Sequence, residues 1–310
     1  MAAVSAAEPA EEALHGPTDA PEPVTAPRGT SWPEAERTFV AEEAPSGPTD
    51  AVPRRPLPAA ARPQPAPEVR NAWASLRQVP LDPVHLERHR MISAAREDPS
   101  HAAFDVLRTR LLQALADNGW RRVAVTSPTK NCGKSFVAAN LALSLSRSET
   151  VRTLLLDADL RHPSLAKLLG VADPGPIGDL LRGRTRPDLH VVRFEENALG
   201  VGPNLGLALN DRQDRNAAEL LQAPEAAAAL ARLDTVLRPD VMLFDLPPAL
   251  YHDDVLALRD RYDGVLLVVG GGLTRPDEIT EVSRRLADHT PLLGVVLNRA
   301  EGPTIRDYSY

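Results

Sequence analysis

Residues 126–135 read Thr-Ser-Pro-Thr-Lys-Asn-Cys-Gly-Lys-Ser, directly behind the apolar run Arg122 to Val125 and directly before a helix-like apolar run, Phe136 to Leu145. A strand that ends in a short loop, closes it with Gly133-Lys134-Ser135 and enters a helix builds a cradle for phosphate. The N–H groups at a helix start lack intrahelical partners and carry partial positive charge, so they bind anionic oxygen. In such a cradle Lys134 is expected to reach the β- and γ-phosphates and the Ser135 hydroxyl to ligate Mg²⁺. The loop and its exit, Thr129, Lys130, Asn131, Cys132, Gly133 and Phe136, are then the nucleotide contacts. The usual first glycine of the pattern is replaced by Pro128, and Asn131 stands where a left-handed backbone suits asparagine.

Two further apolar runs end in aspartate: Thr153 to Asp157, followed by Ala158-Asp159-Leu160-Arg161, and Val241 to Asp245, followed by Leu246-Pro247-Pro248. Runs of this length bounded by turn residues read as buried parallel strands. An aspartate at the carboxyl end of such a strand lies on the edge where α/β sheets bind ligands. Either one alone reads equally well as a cap on the following turn. Two of them flanking one Gly-Lys-Ser loop point to a nucleotide–metal site.

TSPTKNCGKS, LLLDADLR and LFDLPP, in that order, resemble the Walker A, Walker A′ and Walker B elements of the bacterial tyrosine kinases. These are cytoplasmic P-loop kinases of polysaccharide biosynthesis, related to the MinD/ParA ATPases. The segment Phe104 to Thr109 resembles the helix before their P-loop, Asn216 to Leu221 their NPxELL segment, and Gly294 to Asn298 their last strand. The resemblance runs over roughly residues 95–310. It implies ATP and Mg²⁺ as cofactors, with Lys134, Asp157 and Asp159 as the catalytic group and Ser135, Asp159 and Asp245 around the metal. Asp157 would lie by the transferring phosphate, where it can accept a hydroxyl proton; which of Asp157 and Asp159 is the base stays open. Asn298 would contact the adenine. The resemblance also implies a membrane polysaccharide co-polymerase as activating partner, a homo-oligomer, and autophosphorylation of a C-terminal tyrosine cluster. Tyr308 and Tyr310, two of only four tyrosines, stand beyond Gly302-Pro303 as the candidates. One departure concerns assembly: the Glu, Arg and Arg that build subunit rings in the family correspond here to Ala102, Asp105 and Arg108, one match in three.

Composition divides the chain of 310 residues. Residues 1–84 hold about half of the 30 prolines with almost no apolar periodicity, and are expected to be disordered because they bury too little surface to offset chain entropy. Trp32 and Trp73 read as stray hydrophobes in that region. Residues 85–303 are expected to form the P-loop domain and 304–310 a tyrosine-bearing tail. A net charge of −7 and a single cysteine argue against nucleic acid as partner and against a disulfide framework, and suit a cytoplasmic protein. No window approaches the length a membrane helix needs, so any membrane contact is expected through a partner.

Asp98-Pro99 reads as a helix start, with Phe104, Leu107, Leu111 and Leu115 at helical spacing and Gly119 as terminator. Strands are expected near 122–127, 152–157, 190–194, 241–245, 264–269 and 292–297, alternating with helices that include one near 217–237. The alternation predicts a three-layer α/β P-loop domain with a mainly parallel sheet. Arg161 is read as either a charge stabiliser or the partner of an acid, Asp254 as a helix N-cap, and Cys132 as a tolerated loop residue. His85 and His89, at i,i+4, lack further ligands for zinc. Two other classes of function compete with the kinase: a MinD/ParA-like ATPase, whose extra loop lysine is Thr129 here, and a non-catalytic nucleotide sensor.

Overall fold

The computed structural model describes residues 67–91, 101–287 and 290–299. Along the chain run α1 (Pro67–Ala74), β1 (Arg77–Val79), α2 (Pro83–Arg88), α3 (His101–Asn118), β2 (Arg122–Thr126), α4 (Lys134–Ser146), β3 (Thr153–Asp157), α5 (Leu165–Leu169) and α6 (Ile177–Leu181). They continue with α7 (Pro187–His190), β4 (Val192–Phe194), β5 (Leu205–Ala208), α8 (Ala217–Gln222), α9 (Pro224–Leu237), β6 (Val241–Asp245), α10 (Asp254–Ala257), β7 (Gly264–Gly270), α11 (Pro276–Ala287) and β8 (Leu292–Asn298). The strands make one sheet in the order β1-β4-β5-β3-β6-β2-β7-β8. Every pairing is parallel except β4 with β5.

The central strands are apolar throughout because both of their faces are covered. Alternate residues point to opposite faces. Ala124, Leu156, Phe244 and Leu267 therefore pack on one side, against α1, α6, α8, α9 and α11. Val125, Leu155, Leu243 and Val268 pack on the other, against α2, α3, α4 and α5. Helix α4 is buried from Val137 to Ser146, which explains why its sequence shows no polar stripe. This is the expected three-layer α/β P-loop fold.

Three expectations need correction. The predicted helix over 217–237 is two helices: Ala223 is extended (φ −63°, ψ 142°) and Pro224 starts α9, because a residue before proline is driven out of the helical region. The P-loop domain also begins earlier than residue 85. Residues 67–84 fold onto it, α1 against α9 and β1 in register with β4 (Arg77↔Val192). Trp73 is thus no stray hydrophobe: it is 4% exposed, and its indole N–H donates to the Leu237 carbonyl at 2.6 Å. Its ring lies over Gly206 of β5, where an added Cβ would sit 3.4 Å from the ring and 3.2 Å from both Leu154 and Val191. The same glycine breaks the apolar run that would have revealed β5. The expected helix start at Asp98-Pro99, Trp32, and Tyr308 and Tyr310 lie outside the described residues.

Candidate nucleotide and phosphoryl-transfer site

Strand order builds the site. β6 lies between β3 and β2, with Asp157 opposite Asp245 and Asp245 opposite Val125. The carboxyl ends of three strands far apart in sequence therefore share one sheet edge, the edge where open α/β sheets bind ligands. Neighbouring strands stand roughly 4.8 Å apart, which sets the spacing of the groups they carry.

The loop after β2 is held from several directions. Thr126 Oγ1 donates to the Pro247 carbonyl at 2.6 Å, and the Ser127 and Pro128 carbonyls accept from Ala249 and Leu250 N–H at 2.8 and 3.2 Å. Pro128 has no N–H to contribute, but here its carbonyl ties the loop to the segment following β6. Asn131 (φ +65°) and Gly133 (φ +88°) both take the left-handed conformation, and Gly133 opens α4. The Asn298 amide donates to the Cys132 carbonyl at 2.8 Å, so the end of β8 buttresses the loop. Cys132 is buried, its S–H facing the Thr129 carbonyl and its sulfur 3.4 Å from Thr274 Oγ1; it packs the loop.

Beneath the loop lies a charge cluster. Lys134 Nζ is 2.8 Å from Asp159 Oδ2, 3.2 Å from Asp245 Oδ1 and 3.2 Å from Ser135 Oγ. Asp157, one strand over from Asp245, accepts the Ser164 and Leu165 N–H groups at 3.2 and 3.1 Å through a single oxygen. Asp157 Oδ1 and Asp245 Oδ2 are buried without a partner among the described residues. Burial, reinforced by Asp245, pushes Asp157 well above the usual carboxylate range. Burial also raises Asp245 in spite of Lys134. Burial on its own would lower the Lys134 ammonium, but Asp245 and Asp159 outweigh it and hold Lys134 above its ordinary value.

Three carboxylates around one ammonium leave an excess of buried negative charge and hard oxygen donors. That donor set fits Mg²⁺, which takes one or two carboxylates together with phosphate oxygens and water rather than a full protein cage. Among the described residues no group of three or more His, Cys, Asp or Glu is arranged to hold a metal ion by itself. Ser135, Asp159 and Asp245 are the residues that could hold it.

Above the cluster opens a cavity of about 640 Å³ lined by Lys130, Asn131, Gly133, Lys134, Ser135 and Asp159 among others. It is in the range of small-molecule sites. A second cleft of about 740 Å³ between α3 and β8 shares Gly133, Phe136 and Arg299 with it and reaches Asn298. The predicted loop, lysine, serine and aspartate residues are thus gathered at one place, with Asn298 at its border.

Sequence reasoning missed other participants. Asp254 is not the N-cap: it is the first residue of α10, and its carboxylate accepts from Arg161 Nε and Nη2 at 2.6 and 3.2 Å. That settles Arg161 as the partner of an acid. His85 and His89 stack with ring centres 4.0 Å apart, and His85 Nε2 meets the Lys167 carbonyl at 2.7 Å, so their spacing serves packing on α5. In α3, Arg108 bonds Asp105 at 2.9 Å, and both reach Ser144 of α4, which ties the helix pair together. No sequence pattern marked Lys167 or Arg299, which line the cavity from other elements.

A family model described as ParA, NUBPL iron-transfer P-loop NTPase, matches residues 120–298. The chain belongs to the ParA family of P-loop NTPases. The resemblance to bacterial tyrosine kinases is also borne out. EpsB of Ralstonia solanacearum, named provisionally a tyrosine-protein kinase, is 34% identical over 215 residues, covering 69% of this chain and 27% of EpsB. The chain thus spans about a quarter of that relative's length. YwqD of Bacillus subtilis, named a tyrosine-protein kinase, is 28% identical over 218 residues, 67% of this chain and 84% of YwqD. The crystal structure of the VpsO kinase domain superposes with a TM-score of 0.57 at 29% identity, covering 69% of this chain and 98% of that domain. For this ParA-family NTPase, the loop after β2 is accordingly the P-loop.

Proposed function

We propose that this P-loop NTPase is an ATP- and Mg²⁺-dependent protein-tyrosine kinase that phosphorylates its own Tyr308 and Tyr310. The observation that carries the reading is the Lys134–Asp159–Asp245 cluster with Asp157 on the adjoining strand. It offers an ammonium, metal-binding oxygens and a proton acceptor at one sheet edge. The names of the relatives EpsB and YwqD support transfer to tyrosine rather than to water.

Phosphoryl transfer asks mainly for positioning and charge neutralisation. The P-loop N–H groups and Lys134 hold the triphosphate, with the adenine toward the cleft beside Asn298. Ser135, Asp159 and Asp245 would hold Mg²⁺, which would supply positive charge against the triphosphate. Asp157 or Asp159 takes the tyrosine hydroxyl proton as the phenolic oxygen bonds to the γ-phosphorus. The bond from that phosphorus to the β-bridging oxygen breaks, releasing ADP. The upward shift of Asp157 moves its basicity toward that of the phenol, as an effective general base requires.

As in the family it resembles, the chain would act as a homo-oligomer at the inner face of the membrane, activated by a polysaccharide co-polymerase and regulating exopolysaccharide polymerisation or export. Among the described residues no helix is long and apolar enough to cross a membrane, which suits recruitment by a partner. Incubation with ATP·Mg²⁺ followed by mass-spectrometric mapping is expected to place phosphate on Tyr308 or Tyr310, and Lys134→Ala to abolish it. ATP consumption with no phosphotyrosine, even with the membrane activator supplied, would assign the chain to the ATPases instead.

A further inference from the structure

The wall of the catalytic cavity beyond the P-loop is cationic and lacks counter-charges. Lys130, Lys167 and Arg299 line the cavity, and its one lining carboxylate among the described residues, Asp159, is engaged by Lys134. The chain as a whole is acidic, with a net charge of −7. Several arginines elsewhere are matched by acids: Arg121 and Arg122 with Asp234, Arg161 with Asp254, Arg182 with Asp214, Arg285 with Glu281. Among the described residues no ion pair engages Lys130, Lys167 or Arg299. Lys130 instead stands over the Tyr251 ring, 5.5 Å from its centre.

Lys130 and Lys134 belong to the P-loop itself, whereas Lys167 enters the cavity from α5. The P-loop leaves β2, whereas α5 follows β3, two strands away with β6 between. That puts the two strand ends roughly 10 Å apart, with Asp157 and Asp159 on the α5 side. Helix α5 is also fixed to the reacting centre: Asp157 accepts the Ser164 and Leu165 N–H groups at its start, and the Lys167 carbonyl meets His85. Asp157, one of the two candidate proton acceptors, therefore also fixes the start of the helix that carries Lys167.

Resting on the kinase reading, we propose that this wall selects the acceptor: the substrates are tyrosines flanked by Asp or Glu, with Lys167 the specificity-determining residue. In the chain's own sequence Asp307 precedes Tyr308 whereas Ser309 precedes Tyr310, so Tyr308 is the acceptor this wall favours.

The test uses the full chain with ATP·Mg²⁺ and synthetic peptides in which one tyrosine is flanked by Asp/Glu, by Ala or by Lys. The acidic peptide is expected to have the highest kcat/KM, by up to about fivefold for each ion pair formed. The difference should reside in KM and shrink with salt. Lys167→Ala should flatten the preference and Lys167→Glu reverse it, while fluorescent-ADP affinity stays unchanged. Equal kcat/KM for all three peptides, with phosphate still transferred, would overturn this proposal and leave the kinase reading intact. If no peptide is phosphorylated, anisotropy of the labelled peptides with ADP·Mg²⁺ present decides the matter. Preferential binding of the acidic peptide, lost in Lys167→Glu, supports the wall, and equal binding refutes it. Loss of ADP binding in the Lys167 variants would assign the residue to the nucleotide and refute it as well.

Discussion

Asp245→Asn should make the unliganded protein more stable while abolishing its response to nucleotide and Mg²⁺. Asp245 is fully buried, and its Oδ2 has no partner among the described residues. Desolvation raises its pKa in spite of the Lys134 contact at 3.2 Å, so ionised Asp245 is disfavoured by the fold. Asn keeps the shape, reduces three carboxylates to two against one ammonium, and presents an N–H whose natural acceptor is the unpaired Asp157 Oδ1 on the adjoining strand. Relieving an unbalanced buried charge of this kind is worth roughly 1–3 kcal/mol, or about 2–10 °C in Tm for a domain of this size. The pH dependence has a definite sign. Asp157 and Asp245 both sit above their ordinary 3.8 in the folded state. The stability they contribute is complete below that value and is lost as pH rises through the folded values. Lys134, held above 10.5, keeps its contribution until the pH exceeds 10.5, so it does not mask the effect near neutrality. Urea unfolding of wild type and Asp245→Asn in EDTA at pH 5 and pH 8, with and without ADP·Mg²⁺, reads both halves. The variant should gain most at pH 8 and wild type should gain most from ligand. A variant less stable than wild type at pH 8 in EDTA would show that Lys134 balances the cluster, and the charge argument would fall.

Gly133→Ala should lose nucleotide affinity at least tenfold by equilibrium titration, because φ is +88° there and the new Cβ would collide with the Asn298 amide that braces the loop. Trp73→Ala should cost about 3–5 kcal/mol in denaturant unfolding, since the ring is buried against Gly206 and donates to Leu237; a cost within 0.5 kcal/mol would return α1 to the N-terminal region. Asp254→Ala leaves Arg161 without its bidentate partner and should cost about 1–3 kcal/mol, which Arg161→Gln in the same chain recovers in part.

The phosphate edge was legible because its residues sit next to strong local patterns. Gly-Lys-Ser follows one apolar run, and Asp157 and Asp245 end two others, so period and punctuation announced them without tertiary knowledge. What escaped was whatever depends on distant partners. Trp73 has no periodic neighbours, and its acceptor lies 164 residues away. β5 hid because Gly206, needed to admit that ring, also dilutes the apolar signal. Asp254 looked like a cap because it precedes an apolar turn, whereas its role is fixed by Arg161, 93 residues upstream. Lys167 looked like any basic residue in a last helical turn, and only the placement of α5 over the cavity distinguishes it.

The order of the strands, more than any single motif, makes these residues a site. Lys134 stands 111 residues from Asp245 in the chain, yet 3.2 Å from it in space, because β6 is inserted between β2 and β3. Had β3 paired directly with β2, Asp157 would lie beside the P-loop and Asp245 one strand farther out. The ammonium would then lose one of its two carboxylates, and the middle position would pass to the residue that now holds α5. The inserted strand thus separates two tasks along one edge. On the proposed function, the β2 end, through the P-loop, would take the phosphates; the β3 end, through Asp157 and α5, would take the proton and orient what receives the phosphate. Asp245, between them, belongs to both. Its substitution should therefore disturb ligand binding without moving either wall, whereas substitution of Asp157 should also loosen α5, and hydrogen exchange at the Ser164 and Leu165 amides would register that difference.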